Sequence, residues 1–539
     1  MGPSVAMADL VIRGGMVVDG TGAPPHVADV VVGDGRILAI EHPYTGAARR
    51  SLDARGKIVA PGFIDIKTHS DWTLPVVPAA ESKVRQGVTT EVIGHCGYSV
   101  APALPGRVEM LREYLAPSAP WLPFRETTFA EYAETFPRTS VNTIMQVGHN
   151  TLRLMTMGME RREPKPDELT SMQRLLEEAL DAGALGLSSG LFTAPGSYAE
   201  SAEMAALGQV LRRHGASYAT HVRNESDHVF AAIDEALAVA EACDIRVQIV
   251  HLKLSGTNNW GQAPKVLAAI DAARSRGLRV HCDQYPYTAA GNPLRNLLPM
   301  WAQDGGVETI LARLAAPAMR TRIRADIAAS GLTSFGRIPS WDAVRIAISP
   351  HHPEYAGTTI AEIADQRSCD PIDAVCDCLI ADRGATRVVI ASMSEDDVRE
   401  ILRSPTVFVG SDSFALSPSG ITGTGKPHPR TYGTFPRVLG HYVRDLRLLS
   451  LPTAIYKMTG GPAAALGLIE RGLIRENYRA DITVFDPETI ADRATYDDPH
   501  QYPTGIETVV VNGIIVVDGG EHVGTRPGHV LRRSSRGVG

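Results

Sequence analysis

The feature of this sequence that most restricts its fold is one repeated unit, a short apolar run that closes on polar residues and is followed by a segment of helical spacing. Such runs occur at Val59–Lys67, Thr90–Cys96, Asn142–Gly148, Ala184–Ser189, Ser217–His221, Arg246–His251, Arg279–Tyr285 and Val407–Asp412. Apolar strands alternating with helices are what a parallel sheet buried on both faces requires, and eight of them is the number that closes into a (β/α)8 TIM-type barrel. Intervening helices are legible too, among them Asp167–Ala182 with its charged outer face and the alanine-rich Asp227–Ala242. A barrel uses about 250 residues. A chain of 539 therefore has room for insertions and an accessory domain.

The two ends read differently. Asp9-Leu-Val-Ile-Arg-Gly-Gly-Met-Val-Val-Asp19 and Glu507-Thr-Val-Val-Val-Asn-Gly-Ile-Ile-Val-Val-Asp518 alternate β-branched runs with glycine turns, and Asn512-Gly513 is a strong two-residue hairpin signal. Neither end has enough strands to stand alone. The expectation is an α/β protein with a distorted barrel over 59–466 and a small β-sandwich domain built jointly from 1–58 and 467–539. The βα pattern breaks after Tyr287, which predicts an inserted lid-like segment over 288–345 before the last barrel strand.

Composition narrows the function classes. With 44% hydrophobic and 21% charged residues the chain is neither disordered nor fibrous, and a net charge of −7 gives no reason to expect nucleic acid or an anionic membrane as partner. There is no run of about 20 apolar residues and no basic-then-apolar leader, so the expectation is a cytoplasmic protein acting on a small molecule. Oligomeric state is not legible. The six cysteines are scattered, unlike a disulfide framework, and Cys376 and Cys378 read as buried thiols of an apolar helix.

In a barrel of this kind the active site gathers where the strands end. Strand one ends in Asp65-Ile-Lys67-Thr-His69, strand two in Gly94-His95-Cys96-Gly97, strand five in Thr220-His221, strand six in His251-Leu-Lys253 and strand eight in Gly410-Ser-Asp412. Imidazoles, a thiol and a carboxylate converging on one mouth form a donor set suited to zinc.

The motifs Pro61-Gly-Phe-Ile-Asp65, Gln86-Gly-Val-Thr-Thr-Glu-Val-Ile-Gly-His-Cys-Gly97, Tyr218-Ala-Thr-His-Val-Arg-Asn-Glu225, His251-Leu-Lys-Leu-Ser-Gly256, Asp283-Gln-Tyr-Pro-Tyr287 and His428-Pro-Arg-Thr-Tyr432 resemble, in order, the N-acyl-D-amino-acid deacylase (D-aminoacylase) family of metal-dependent amidohydrolases. The resemblance runs from the first strand to about Arg526. It implies that Cys96, His221 and His251 hold a tight zinc, leaving a fourth position for water, as in catalytic zinc sites. Water so bound ionises near neutral pH and can attack an amide carbonyl. Asp412 is then the general base that takes its proton and returns it to the leaving nitrogen. Arg430, Tyr285 and Lys253 read as a clamp for the substrate carboxylate.

Two residues depart from the family. Where it has His-x-His at the end of strand one, this chain has Lys67-Thr-His69, and both side chains face the barrel. A second metal position, which His69 would help to build, is impaired or absent. Alternatively the Lys67 ammonium supplies that positive charge in catalysis, or Lys67 carries a carbamate and ligates metal. The second departure is His95, which stands where asparagine is usual and is read either as a group that hydrogen-bonds a substrate carbonyl or joins Asp412 in proton transfer, or as support for the metal ligands. His149 is a structural or oxyanion-side residue. Hydrolysis of an N-acyl (D-)amino acid or similar N-acylated carboxylate is the leading reading, with D against L preference open. An amidase for bulkier aryl or dipeptide-like amides and a catalytically impaired binding homologue are the alternatives.

Overall fold

The computed structural model describes residues 7–539. Eight short parallel strands enclose the centre: β1 (Phe63–Asp65), β2 (Val88–Ile93), β3 (Asn142–Met145, resuming at Val147–Gly148), β4 (Gly186–Gly190), β5 (Ser217–His221), β6 (Arg246–Ile249), β7 (Val280–Gln284) and β8 (Val407–Val409). Each is paired in parallel with the next, from Ile64 opposite Thr90 round to Cys282 opposite Val407. A parallel bridge between Thr68 and Ser413 links the two ends, so the sheet closes. All six residues of β2 are buried, as befits a strand covered on both faces.

Helices cover the outside, and their sequences show why they form. The helix Pro166–Asp181 begins with proline, carries Asp167 and Glu168 in its first turn, and buries Met172, Leu175, Leu176, Ala179 and Leu180. Those positions share one face, and the acidic residues complement the positive helix start. Full burial of such side chains stabilises by about 1.5–3 kcal/mol each, so packing against the barrel, more than intrinsic propensity, holds the helix.

Strands from the two ends of the chain form one nine-stranded sheet, joined where Ile58–Pro61 runs antiparallel to Ile482–Phe485. Asn512 and Gly513 both have positive φ, at 51° and 81°, between paired Val511 and Ile514. This is the primed two-residue turn that their sequence predicts.

The inserted unit is larger than 288–345. Strands Ala289–Pro293, Val344–Ile348 and Arg387–Ala391 form an antiparallel sheet, with helices such as Gly306–Ala315 and Pro371–Ala381 packed on a core of its own that includes Leu294, Leu314, Ile346, Leu379 and Ile390. The unit thus continues past residue 345 to Ala391. Arg387-Val-Val-Ile-Ala391 has the composition of a barrel strand, and only its antiparallel partners assign it elsewhere.

Candidate active site

The strand ends bring Lys67 and His69 (β1), Cys96 (β2), His221 (β5), His251 and Lys253 (β6), Tyr285 (β7) and Asp412 (β8) to one buried mouth. Three of these residues hold the left-handed backbone conformation: Cys96 at φ 57°, His251 at φ 39° and Asp412 at φ 49°. Such φ values cost residues other than glycine of order 1–3 kcal/mol and collect at functional sites, where they aim a side chain. The Gly-His-Cys-Gly turn needs both its glycines. Each has positive φ, and a Cβ on Gly94 would stand 2.2 Å from the Gln146 carbonyl, one on Gly97 2.2 Å from Asn150 Oδ1.

The Cys96 sulfur lies 3.7 Å from His221 Nδ1 and 3.5 Å from His251 Nε2. A tetrahedral zinc with bonds of about 2.3 Å to sulfur and about 2.0–2.1 Å to nitrogen would set those separations at roughly 3.5–3.6 Å. Both sulfur–nitrogen separations therefore match an edge of a zinc tetrahedron, and the three donor atoms all lie within 4.8 Å of one another. Burial holds both imidazoles well below their usual pKa, with Lys253 and Lys67 adding to the effect, so both are neutral and able to ligate. Burial raises the Cys96 thiol while Lys67 and Lys253 pull it down, so thiolate forms here only against a strong cation.

Glu225 supports this triangle. Its carboxylate oxygens lie 3.0 Å from His251 Nδ1 and 3.6 Å from His221 Nε2, the ring nitrogens turned away from the sulfur. Lys253 donates to Glu225 at 2.5 Å, and its Nζ is 2.6 Å from His251 Nδ1. A carboxylate behind metal-binding imidazoles fixes their orientation and raises their basicity.

His69 is not in the three-residue cluster. Its Nε2 meets the Lys67 ammonium at 2.9 Å, and Lys67 also donates to Asp412 Oδ1. The other Asp412 oxygen lies 2.8 Å from Arg430, whose guanidinium is 4.4 Å from the Tyr285 ring centre. Among the described residues the buried Tyr285 hydroxyl has no hydrogen-bond partner, and Tyr285 lines the site cavity. His95 points elsewhere: its Nε2 is 3.1 Å from the Ile66 carbonyl and 3.1 Å from Gln146 Nε2, and it lines neither cavity at the mouth. His149 lies 2.7 Å from Glu203, which also takes Arg153 in a buried ion pair, so of its two readings the structural one describes its surroundings.

The cavity over the triangle is small, about 60 Å³, and opens past Ser118, Gly291, Arg387, Asp412, Phe414 and Arg430 into a chamber of about 810 Å³ beneath the inserted unit. Two arginines of the inner cavity, Arg295 and Arg387, make no ion pair among the described residues; Arg387 donates to Ser118 and Arg295 faces the Tyr114 carbonyl at 3.5 Å. Both are half-buried and line the inner cavity. Burial accordingly pushes Arg387 down to about 10, with Arg430 adding to it. Among the side chains that line the inner cavity, Lys253, Arg295, Arg387 and Arg430 outnumber Glu225 and Asp412 by two.

Sequence reasoning missed Glu225, Arg295 and Arg387. Glu225 lies four residues after His221, a readable spacing. Arg387 had no signal, because it reaches the site from the inserted sheet.

The family model described as "Amidohydrolase family" matches residues 50–517. The chain is 38% identical to N-acyl-D-glutamate deacylase of Alcaligenes xylosoxydans xylosoxydans over 98% of its own length and 97% of that protein. It superposes on a crystal structure of D-aminoacylase with a TM-score of 0.81 at 36% identity, covering 98% of this chain and 100% of that one. A structure of N-acyl-D-glutamate deacylase from Bordetella bronchiseptica, complexed with zinc and a phosphonate mimic of the tetrahedral intermediate, gives a TM-score of 0.80 at 36% identity with the same coverage.

Proposed function

The chain belongs to the amidohydrolase family, and from that premise we propose that it is a zinc-dependent deacylase of N-acyl-D-amino acids whose side chain carries a second carboxylate. Cys96, His221 and His251 hold the zinc, because their donor atoms already have its spacing. When bound, zinc supplies Lewis-acid chemistry, polarising the amide carbonyl and making water acidic enough to attack it near neutral pH. Asp412, fixed between Lys67 and Arg430, accepts the proton from the attacking water and delivers it to the nitrogen as the C–N bond breaks. Free amino acid and the carboxylate of the acyl group are the products. Tyr285, Lys253 and Arg430 hold the α-carboxylate, and His95 supports the strand ends.

The observation that carries the substrate class is the uncompensated charge. Burying unpaired guanidinium groups is unfavourable unless a ligand anion completes them, and a second carboxylate on the substrate would complete Arg295 and Arg387. N-acyl-D-glutamate and N-acyl-D-aspartate are such ligands, and two of the relatives above are N-acyl-D-glutamate deacylases. The test is kcat/KM over a panel of N-acetyl-D-glutamate, -aspartate, -leucine and -methionine with their L forms. Acidic D substrates should exceed neutral ones by at least 10-fold. Arg387→Ala should cut only the acidic substrates by about 10- to 150-fold, from a charged hydrogen bond of about 1.5–3 kcal/mol. Preference for leucine or methionine would overturn the acidic class, and no turnover of any member would overturn the deacylase itself.

A further inference from the structure

Lys67 offers an inference that the amide hydrolysis proposed above does not require, although it rests on that reading of the zinc triangle. Its Nζ is fully buried. It meets His69 Nε2 at 2.9 Å and Asp412 Oδ1. An imidazole nitrogen and a carboxylate oxygen converging on one point are donors that a transition-metal ion would take. Here the point is filled by a group with three N–H donors and no lone pair, so each acceptor receives a hydrogen bond and no ligand is offered to a metal.

The side chain has nowhere else to go. The Lys67 carbonyl accepts from the Asp412 amide at 2.9 Å, which pins the backbone beside β8. A Cβ added to Gly410 would stand only 3.1 Å from the Lys67 Cβ, so the stem is packed on that side as well.

We infer that the Lys67 ammonium occupies the second-metal position, makes the protein strictly a one-zinc enzyme, and positions Asp412 for proton transfer. A carboxylate oxygen that accepts a hydrogen bond from an ammonium keeps a second lone pair for the proton of water. The arrangement gives Asp412 a neighbouring positive charge whose presence does not vary with metal supply. Lys67 is thus a positioning residue.

The test counts metal by elemental analysis after equilibration with zinc from one to twenty equivalents, for the whole protein and for Lys67→His and Lys67→Met. Wild type and Lys67→Met should plateau at one zinc per chain, and Lys67→His should approach two. In Lys67→Met, kcat should fall at least 10-fold with KM within about twofold, because the zinc triangle and clamp are intact while Asp412 is no longer held on one side. Retention of the single tight zinc reports that the variant is folded. Two zinc ions in wild type, which a carbamate on Lys67 would also produce, overturn the inference with no variant needed. So does a single zinc in Lys67→His, or unchanged kcat in Lys67→Met. Wild type that binds no zinc overturns the proposed function and this inference together, whereas activity on one zinc with a failed Lys67→His leaves the function standing and removes only the inference.

Discussion

Replacing Glu225 with glutamine separates the support of the metal ligands from the ligands themselves. Glu225→Gln keeps the size of the side chain and one oxygen for Lys253, but removes the negative charge that faces His251 Nδ1 at 3.0 Å and His221 Nε2 at 3.6 Å. Loss of such a carboxylate typically costs 10- to 100-fold in metal affinity, or about 1.4–2.7 kcal/mol. At saturating zinc the same energy disappears from the folding equilibrium. Melting temperature is nonetheless a poor assay. Unfolding 539 residues at about 2.1 cal/mol/K each gives an entropy near 1.1 kcal/mol/K, so the shift would be only about 1–2 °C. Chelator competition reads the affinity directly and should show the dissociation constant rising 10- to 100-fold. Stoichiometry should remain one, since Cys96, His221 and His251 are untouched. An unchanged dissociation constant would mean that Glu225 serves only to neutralise Lys253, and the account of how the imidazoles are oriented would fail.

Cys96→Ala should abolish both bound zinc and turnover, because two imidazoles cannot hold the ion in a tetrahedral site; elemental analysis and an activity assay on the same sample check this. Asp412→Asn should retain zinc while kcat drops about 100-fold or more, the loss expected for a general acid/base; unchanged kcat would remove Asp412 from proton transfer. Glu203→Ala should leave kcat intact at 20 °C while lowering stability by about 3–5 kcal/mol in denaturant titration, since it strands fully buried Arg153. A loss of kcat without a loss of stability would instead put His149 in the site.

What could be read from the sequence was whatever repeats or ends a strand. The eight runs and their polar closings are local patterns, so the barrel and the residues at its mouth followed from period and position. Lys67 is the instructive residue. Its departure from His-x-His was plain, but the sequence left three outcomes for it, and only the Nζ contacts with His69 and Asp412 favour one. The inserted unit was under-read for a related reason. An apolar five-residue strand looks the same whether its partner is parallel or antiparallel, and pairing is a long-range property. Arg387 inherits that blindness, since its place at the cavity exists only once Arg387–Ala391 pairs with Ala289–Pro293.

Backbone conformation at the mouth was also out of reach, and it does much to explain why these ligands converge. Gly94 and Gly97 announce a turn, yet no local pattern marks Cys96, His251 and Asp412 for the left-handed conformation, although His and Asp adopt it more readily than most residues. The direct evidence of how these positions are held is hydrogen bonding. His251 N donates to Asp283 at 2.9 Å, and Asp412 N donates to the Lys67 carbonyl at 2.9 Å. Neighbouring strands thus impose the conformation at two of the three residues that aim donors at the centre. A strand that simply ended would point its last side chain along the pleat. The turn into positive φ redirects it across the mouth, and the barrel, by fixing its neighbours, supplies the energy that holds it there.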